Sequence, residues 1–423
     1  MTLPSYINSI ELSAEQSVVF QAFKEKQNVL LTGPAGTGKS VTLQAIVTEA
    51  DKNNLVYGVT ATTGAAAVLI GGRTLHSFLG IGLAKKDPKL LADWLKMKFP
   101  VKATMLRELV FLIIDEVSMM SDELFEYCSM FLQSLRGNAK PFGGIQLILS
   151  GDFAQLKPVK GAYAFKSKEW ERCKFRVVLL KKIFRQHGDA SFAEMLQRLR
   201  AGKCSRADFA ALETRIDAPL SAHVEPTKLY SLNANVDEIN SRAFNKLLME
   251  EKPVTYVTQY DDQQDSKRWA TSCGIPDQVV LCKNAQVVVT WNVDPDAGIV
   301  NGSRGRVTHA AATYVEIELV DGKSTTIGYY EASNTDEHNK KLASRFMPLK
   351  LAYALTIHKS QGMTLDCVEI DLGDSIFEYG QAYVALSRAR TLSSVRIVSL
   401  SKRAFRTHPD VLKFYNHVAP ATL

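Results

Sequence analysis

A glycine-rich segment near the start of the chain has the residue types and spacing that bind nucleotide phosphates. Residues 33–40, GPAGTGKS, fit the pattern G-x-x-x-x-G-K-[ST] and lie between an apolar run and a helical stretch, as the pattern requires. In such a loop backbone N–H groups wrap the phosphates, the lysine reaches the β- and γ-phosphates, and the hydroxyl ligates Mg²⁺. We therefore expect ATP and Mg²⁺ as cofactors. The expected nucleotide-binding residues are Gly33, Gly36, Thr37, Gly38, Lys39 and Ser40.

An acidic pair supplies the second half of the expected chemistry. Asp115 and Glu116 follow directly on the apolar run LVFLII, and open α/β sheets bind ligands at the carboxyl ends of their strands. We expect Asp115 to hold Mg²⁺ and Glu116 to act as the general base that activates the attacking water. Such a pair on its own could equally cap a loop. Its combination with the phosphate-binding loop favours catalysis.

Two glutamines could read the state and identity of the nucleotide. Gln155 follows another apolar run and could hydrogen-bond both the γ-phosphate and the water, although alone it could be an ordinary polar loop residue. Gln16 precedes the first apolar run, and its amide could read the edge of adenine with one donor and one acceptor. Ser13 at the same place could instead cap a helix, and both roles can hold together.

Arginines are needed to neutralise charge on the transferred phosphoryl group. The candidates are Arg185 in the segment IFRQ and Arg388 in ALSRAR, and both lie beyond the first predicted domain. An arginine finger is worth about 10³–10⁵ in rate. If it came from another domain, hydrolysis would require a closed cleft, which couples nucleotide state to movement. Each arginine could also form a surface salt bridge or contact a DNA phosphate.

The elements that must position these residues alternate between strands and helices over residues 1–180. Short, mostly apolar runs are typical of strands that are buried on both faces. These runs are Asn28–Gly33, Val56–Ala61, Leu109–Asp115 and Ile145–Gly151. With helical stretches between them, they predict a doubly wound parallel sheet. Residues 76–108 contain glycines, lysines and a proline and are predicted to be a small excursion from that sheet.

The second half of the chain predicts another α/β domain with an all-β insertion. Residues 181–249 and 346–423 have the α/β pattern, whereas 250–345 contain short alternating strands separated by turn residues such as Asn301-Gly302. That alternation predicts a small antiparallel barrel. The expected fold class is therefore α/β, with two parallel-sheet domains and a β-barrel inserted in the second.

Composition limits the function classes but does not choose among them. The chain has 423 residues, 46% hydrophobic and 22% charged, which indicates a folded protein of several domains. Its net charge of +7 suits a polyanionic partner without requiring one. Six scattered cysteines without a C-x-x-C pair argue against a zinc site or a disulfide framework. No targeting segment or apolar run long enough for a membrane span is found, so we expect a cytoplasmic location.

Taken in order, these motifs resemble superfamily-one (branch 1B, 5′-to-3′) helicases and, more narrowly, the Pif (petite integration frequency) helicases. The resemblance covers about residues 10–416 and is carried by GPAGTGKS, TATTGAAA with TLHSF, DEVSM, PFGGIQLILSGDFAQLKPV, IFRQ, TIHKSQGMTLD and YVALSRAR. It implies two RecA-like P-loop domains with an SH3-like barrel in the second.

The resemblance also implies an activity and further site residues. The implied activity is ATP-dependent 5′-to-3′ unwinding of DNA, often including RNA–DNA hybrids and G-quadruplexes, in replication, repair, recombination or telomere maintenance. The implied partners are single-stranded, forked and G-quadruplex DNA, bound by a monomeric, nucleoid-associated motor of bacterial, phage or viral type. Gly362 is implied at the nucleotide. The implied contacts to single-stranded DNA are Thr60, Thr62, His76, His358 and Lys359.

Three other interpretations stay open at this point. The chain could be an ATP-switched single-stranded DNA translocase or binding module that does not separate strands. It could be an unrelated P-loop ATPase that acts on proteins or metabolites. It could also be a RecD-like or phage accessory helicase with poor activity on G-quadruplexes.

Overall fold

A computed structural model describes residues 12–82, 84–220, 226–231, 233–262, 264–294, 297, 299–320, 322–335 and 341–418. Over these residues the chain forms two compact units. The first contains the residues up to Phe153 together with Lys157–Phe184, and the second contains Ala154–Leu156 and the residues from Arg185 onward. The division at Phe184 falls a few residues after residue 180, where the sequence predicts the end of the first domain. The short segment Ala154–Leu156 belongs to the second unit, although the residues on both sides of it belong to the first.

The first unit is built on a six-stranded parallel sheet, as the sequence predicts. Its strands are β1 (Val29–Thr32), β2 (Tyr57–Ala61), β3 (Arg73–Thr74), β4 (Phe111–Asp115), β5 (Gln146–Gly151) and β6 (Arg176–Leu179). Their order across the sheet is β3-β2-β4-β5-β1-β6, with every neighbouring pair parallel. The strands β1, β4 and β5 are buried along their whole length, because helices cover both faces of the sheet.

Eight helices accompany this sheet. They are α1 (Ala14–Lys24), α2 (Lys39–Lys52), α3 (Gly64–Leu69), α4 (Leu75–Leu79), α5 (Pro88–Lys98), α6 (Pro100–Glu108), α7 (Asp122–Arg136) and α8 (Lys168–Cys173). The predicted excursion at 76–108 consists of α4, α5 and α6. Local signals fix several helix ends: Ser121 caps the start of α7, and Gly137 ends it in the left-handed conformation.

The second unit contains the remaining strands and helices. The strands are β7 (Thr227–Tyr230), β8 (Val254–Val257), β9 (Gln259–Tyr260), β10 (Gln278–Leu281), β11 (Gln286–Val289), β12 (Arg304–Ala310), β13 (Tyr314–Leu319), β14 (Ser324–Gly328), β15 (Tyr330–Thr335), β16 (Lys341–Phe346), β17 (Leu349–Leu351), β18 (Ala354–Thr356), β19 (Val368–Leu372) and β20 (Val395–Leu400). The helices are α9 (Ala190–Arg200), α10 (Arg206–Glu213), α11 (Asn233–Leu247), α12 (Asp265–Ser272), α13 (Gln381–Leu386) and α14 (Pro409–Val418).

A second parallel sheet forms the α/β part of this unit. Its four strands lie in the order β18-β7-β19-β20, and all three pairs are parallel. The sequence predicts that the α/β pattern resumes at residue 346, a few residues before the second parallel sheet does. Residues 349–351 form β17, which pairs antiparallel with β11, so the parallel sheet resumes only at Ala354.

The predicted β-rich insertion is antiparallel. Five strands lie in the order β14-β13-β12-β11-β17, and a three-stranded sheet and a two-stranded sheet complete the region. β11 to β14 coincide closely with the strands that the alternation predicts at 286–290, 305–309, 314–319 and 324–329. The alternating apolar residues of β12, β13 and β14 contribute to a common core around Val315, Ile317 and Ile327. Closure of this region into an SH3-like barrel stays a prediction.

Three further observations bear on the function classes. In the part of the chain that the structure describes, no helix is both long and apolar enough to cross a bilayer. All six cysteines are free thiols, five of them buried. Among the described residues, no three His, Cys, Asp or Glu side chains are grouped closely enough to hold a metal ion.

Candidate nucleotide site and single-strand contacts

The phosphate-binding loop between β1 and α2 depends on two glycines with a positive φ, a conformation that residues with a side chain rarely adopt. Gly33 has a φ of +146°, and a Cβ added there would lie 2.5 Å from the carbonyl oxygen of Leu180. Gly38 has a φ of +81°, and a Cβ there would lie 2.7 Å from Nε2 of Gln16. The loop can therefore keep this path only with bare backbone at both positions.

The other loop residues line the start of α2. Lys39 Nζ donates to the carbonyl oxygens of Gly33 at 2.8 Å and Pro34 at 2.9 Å, and buried Thr37 also donates to Pro34. Gly36 adopts the left-handed conformation, and Ser40 is exposed in the first turn. Gly38 caps α2 without a side-chain hydrogen bond, and the first turn contains no acidic residue. The helix terminus therefore presents N–H groups and a positive dipole end, as an anion requires.

Asp115 lies at the same edge of the sheet as this loop. In the strand register Thr32 pairs with Gly151, and Asp115 pairs with Ala61. Because only β5 separates β4 from β1, the ends of those two strands lie roughly 10 Å apart at the usual strand spacing. The sheet therefore brings the loop and the acidic pair to one edge.

The environment of Asp115 suits a divalent cation. Asp115 is only 7% exposed, and this burial raises the pKa of its carboxyl. The ammonium of Lys39 opposes that shift. A cation bound here would stabilise the ionised form of the carboxylate, which burial disfavours. The carboxylate of Asp115 and the hydroxyl of Ser40 are oxygen ligands of the kind that Mg²⁺ prefers. The residues present therefore fit the expected metal.

Glu116 has a strained backbone that the end of β2 holds in place. Its φ of 53° and ψ of 42° lie in the left-handed region, which is uncommon for a residue with a side chain. Thr62 Oγ1 donates to the Glu116 carbonyl oxygen at 2.8 Å, and the Thr62 N–H donates to the Asp115 carbonyl oxygen at 3.2 Å. Thr62 therefore anchors the backbone of both acidic residues.

Gln16 takes part in the helix cap at Ser13 and also contacts the phosphate-binding loop. The N–H of Ser13 donates to Gln16 Oε1 at 2.9 Å, and Ser13 Oγ accepts from the Gln16 N–H, so the capping box is present. Gln16 Nε2 donates to the Gly38 carbonyl oxygen at 3.3 Å. The amide thus lies against the phosphate-binding loop. Recognition of adenine by Gln16 stays a prediction.

Phe184 is a site residue that the sequence analysis missed. Its N–H donates to the Gly36 carbonyl oxygen at 2.8 Å, and its ring lies 3.7 Å from the Cβ position built on Gly38. The side chain is 46% exposed, although a phenylalanine of this size is usually buried. An exposed ring beside a nucleotide loop offers a flat apolar surface to a base. Its position directly before the candidate Arg185 was the sequence feature that could have identified Phe184 as a site residue.

Gln155 lies in the second unit and contacts another glutamine. Gln361 Nε2 donates to Gln155 Oε1 at 3.2 Å, and both residues are nearly buried. The neighbouring Leu156 is fully buried in the core of this unit. A Cβ added to Gly380 would lie 2.6 Å from the Gln155 carbonyl oxygen. Gln155 is therefore held on both its amide and its backbone.

The two predicted arginines converge on one segment of the second unit, around Gly362. Arg185 donates to the carbonyl oxygens of Ser387 at 3.1 Å and Gly362 at 3.4 Å. Arg388 is 1% exposed and donates to several backbone carbonyl oxygens, including those of Val384, Ser360 and Met363. Arg388 thus braces the segment that contains Gly362. An arginine-finger role stays a prediction for both.

The predicted single-strand contacts have different surroundings. Thr60 is fully buried, and its hydroxyl donates to the Ile113 carbonyl oxygen at 2.6 Å, which favours a supporting role inside the sheet over contact with DNA. His76 and His358 are partly exposed, and burial lowers the pKa of each imidazole, an effect that Glu378 opposes at His358. Lys359 is exposed. DNA contact stays a prediction for these residues and for Thr62.

Comparison with known proteins decides the family. Residues 11–209 match the model of the PIF1-like helicase family. The chain is 37% identical to the ATP-dependent DNA helicase PIF1 of Xenopus laevis over 97% of its own length and 65% of that protein. It is 32% identical to the ATP-dependent DNA helicase Pif1 of Bdellovibrio bacteriovorus, over 97% of the chain and 92% of the relative. The chain belongs to the PIF1-like helicase family.

A solved structure agrees with this family assignment. A Bacteroides Pif1 helicase crystallised with ADP-AlF₃ and single-stranded DNA superposes with a TM-score of 0.69 at 29% identity, covering 98% of both chains. The predicted Pif resemblance and two-domain α/β fold are thereby confirmed. Because the chain spans about 65% of the length of the Xenopus PIF1, family membership alone does not assign it the whole activity of that protein.

Thr62→Val tests whether this side chain supports the acidic pair. The change removes the bond to the Glu116 carbonyl oxygen, which is worth about 1 kcal/mol. We expect kcat for DNA-stimulated ATP hydrolysis to fall about fivefold, with little change in affinity for single-stranded DNA. The control Thr48→Val loses a similar bond, to Gln44 in α2, and should keep its kcat. Weaker DNA binding with an unchanged kcat would instead support the predicted strand contact.

The bond between Gln155 and Gln361 is best tested by a double-mutant cycle. If the two amides act as one unit, Gln155→Ala and Gln361→Ala should each lower kcat for DNA-stimulated hydrolysis. The kcat of the double variant should then be only slightly below that of the less active single variant. Combination of Gln155→Ala with Gln278→Ala, at an exposed position of β10, provides the additive control. Fully additive losses for the Gln155 and Gln361 changes would contradict the coupling.

Phe184→Ala tests the contact between this ring and the base. Because stacking on an aromatic ring is worth about 1–3 kcal/mol, the KM for ATP should rise at least about fivefold, and Phe184→Tyr should retain the wild-type KM. Tripolyphosphate has no base, so its inhibition constant should not change. An equal loss for ATP and tripolyphosphate would show that the substitution damages the loop itself. Val159→Ala, at an exposed position of the same unit, is the control.

Proposed function

We propose that this chain is an ATP-dependent DNA helicase that translocates 5′-to-3′ on single-stranded DNA and unwinds duplex DNA. The observation that carries the proposal is the sheet edge of the first unit, where the phosphate-binding loop, the buried Asp115 and the strained Glu116 occur together. Membership of the PIF1-like helicase family and the relatives named as ATP-dependent DNA helicases support the activity. The polarity rests on the motif resemblance.

In this proposal the first unit binds and activates the nucleotide. Lys39 and the N–H groups at the start of α2 hold the phosphates, and the ring of Phe184 and the amide of Gln16 flank the base. Ser40 and Asp115 would hold Mg²⁺, which when bound neutralises charge on the phosphates. Glu116 takes the proton of the attacking water, and the Thr62 bond fixes its backbone for that task.

The second unit contributes the residues that respond to the γ-phosphate. Gln155 is held by Gln361. Arg185 donates to the Gly362 carbonyl oxygen, and Arg388 donates to the carbonyl oxygens of Ser360 and Met363. Residues His358 and Lys359 lie directly before this segment in the chain. Within the second unit, the candidate γ-phosphate-responsive residues and the candidate DNA contacts are therefore separated by only a few bonds. We take Arg185, which is partly exposed, as the better finger candidate, and Arg388 as a brace.

Single-stranded DNA is the proposed track. His76 from the first unit, with His358 and Lys359 from the second, would supply a cation and two imidazoles to phosphates and unstacked bases. Thr62 would act chiefly through Glu116. The finer substrates, which are forked DNA, G-quadruplexes and RNA–DNA hybrids, and the monomeric and cytoplasmic state are part of the proposal and follow the resemblance.

Strand displacement on tailed duplexes tests the proposal. With ATP and Mg²⁺ the protein should unwind a duplex with a 5′ single-stranded tail and leave the matched 3′-tailed duplex intact. Lys39→Ala should abolish both hydrolysis and unwinding, because it removes the ammonium from the phosphate-binding loop. Lys52→Ala, at the far end of α2, is the matched charge control and should stay active.

Three results would contradict parts of the proposal in different ways. Equal displacement on both tails would remove the assigned polarity. Hydrolysis that single-stranded DNA stimulates without any displacement would identify an ATP-switched translocase or binding module. Hydrolysis indifferent to DNA would place the chain among P-loop ATPases that act on other substrates.

A further inference from the structure

The second unit exposes a phenylalanine that neither the core nor the nucleotide site uses. Among the described residues two phenylalanines are largely exposed, Phe184 and Phe377, and Phe377 is 52% exposed. Phe184 lies beside the phosphate-binding loop. Phe377 lies between β19 and α13, in the segment of residues 373–380 that we name the Phe377 loop. An apolar ring of this size in contact with water offers a flat surface that an aromatic ligand can cover.

The backbone of the Phe377 loop is held in place, although the ring is exposed. The N–H groups of Phe377 and Glu378 both donate to Oε1 of Gln381 at 3.2 Å, and Gln381 is fully buried. Arg406 Nη2 donates to the Phe377 carbonyl oxygen at 2.9 Å, and the Gly380 N–H donates to the Arg406 carbonyl oxygen at 3.0 Å. The ring is therefore presented on a preorganised backbone, which lowers the entropic cost of binding.

The residues around the Phe377 loop are of the types that bind a single nucleic-acid strand. Glu378 Oε2 lies 3.7 Å from Nε2 of His358, one of the predicted DNA contacts, and exposed Lys359 follows His358 in the chain. The guanidinium of Arg406 lies over the ring of Tyr379, 5.2 Å from its centroid. Arg406, which donates to the Phe377 carbonyl oxygen, supplies a cation close to an exposed aromatic ring, and this combination matches the phosphates and the unstacked base faces that a single strand offers.

We propose that Phe377 is a stacking platform for one unstacked base of the strand that the second unit binds. The base would lie on the exposed face of the ring, and Lys359 and Arg406 would attract the neighbouring phosphates. Stacking needs no hydrogen bond to the base edge, so the platform would tolerate any sequence. This inference rests on the proposed function, because it assumes that the second unit binds single-stranded DNA.

Binding to strands with and without bases tests the platform. The probes are a fluorescein-labelled oligothymidylate and an oligomer of the same length made of abasic sites, with Kd measured by anisotropy in the absence of ATP. We expect Phe377→Ala to weaken binding to oligothymidylate by about 5-fold to 150-fold. Binding to the abasic strand should stay at the wild-type level. Phe377→Tyr should keep the wild-type Kd on both strands.

Two further variants separate stacking from general apolar contact and from surface effects. Phe377→Leu keeps an apolar side chain without an aromatic face, so it should bind oligothymidylate as weakly as Phe377→Ala. Val398→Ala changes another exposed apolar residue of the second unit, 49% exposed, and should bind as the wild type does. Unchanged melting temperatures would confirm that each variant is folded.

Several outcomes would overturn the inference. One is a Phe377→Ala variant that binds oligothymidylate as tightly as the wild type. Another is an equal loss on the abasic strand, which would show that the substitution disturbs phosphate contacts. A leucine variant as tight as the wild type would replace stacking by simple apolar contact. If the wild type bound neither strand, the proposed function would fail, and this inference would fail with it.

Discussion

Two points of close packing set the path of the phosphate-binding loop, and the rest of the candidate site depends on them. The Leu180 carbonyl oxygen and the Gln16 amide occupy the space that side chains would need at Gly33 and Gly38. One contact comes from the residue after β6 and the other from the first turn of α1. The bare backbone that binds phosphate is thus shaped from both sides. Phe184 follows Leu180 closely in sequence, so the segment that shapes the loop also places a ring beside it.

The same edge of the sheet joins β2 to the acidic pair. Thr60 and Thr62 both donate side-chain hydroxyls to carbonyl oxygens of the β4 segment, one inside the sheet and one just beyond its end. Glu116 has a left-handed backbone that costs free energy, and such strain persists only where neighbouring groups hold it. The bonds from Thr62 provide that restraint. Residues that resemblance associates with DNA therefore also shape the backbone of Asp115 and Glu116, so a change at the end of β2 would directly affect the proposed general base.

The sequence predicted those features that local patterns determine. Strands such as β4 and β5 are continuous apolar runs because both of their faces are buried, and the glycine pattern of residues 33–40 encodes backbone geometry directly. Features that depend on distant packing were missed. Leu349–Leu351 lies in the sequence just before β18 of the parallel sheet, yet it pairs antiparallel with β11. Neither the bond between Gln361 and Gln155 nor the exposure of Phe184 and Phe377 follows from neighbouring residues.

Within the second unit, close contacts connect Gln155 to the residues proposed to bind the strand. Gly380 packs so closely on the Gln155 carbonyl oxygen that even a methyl group would not fit between them. Two residues earlier Glu378 faces His358, and the residue before Glu378 is the exposed Phe377. Close-packed contacts transmit small displacements, because they leave no void to absorb them. A displacement of Gln155 would therefore displace Gly380, and the short segment between Gly380 and Phe377 would pass that shift to the residues proposed to bind the strand.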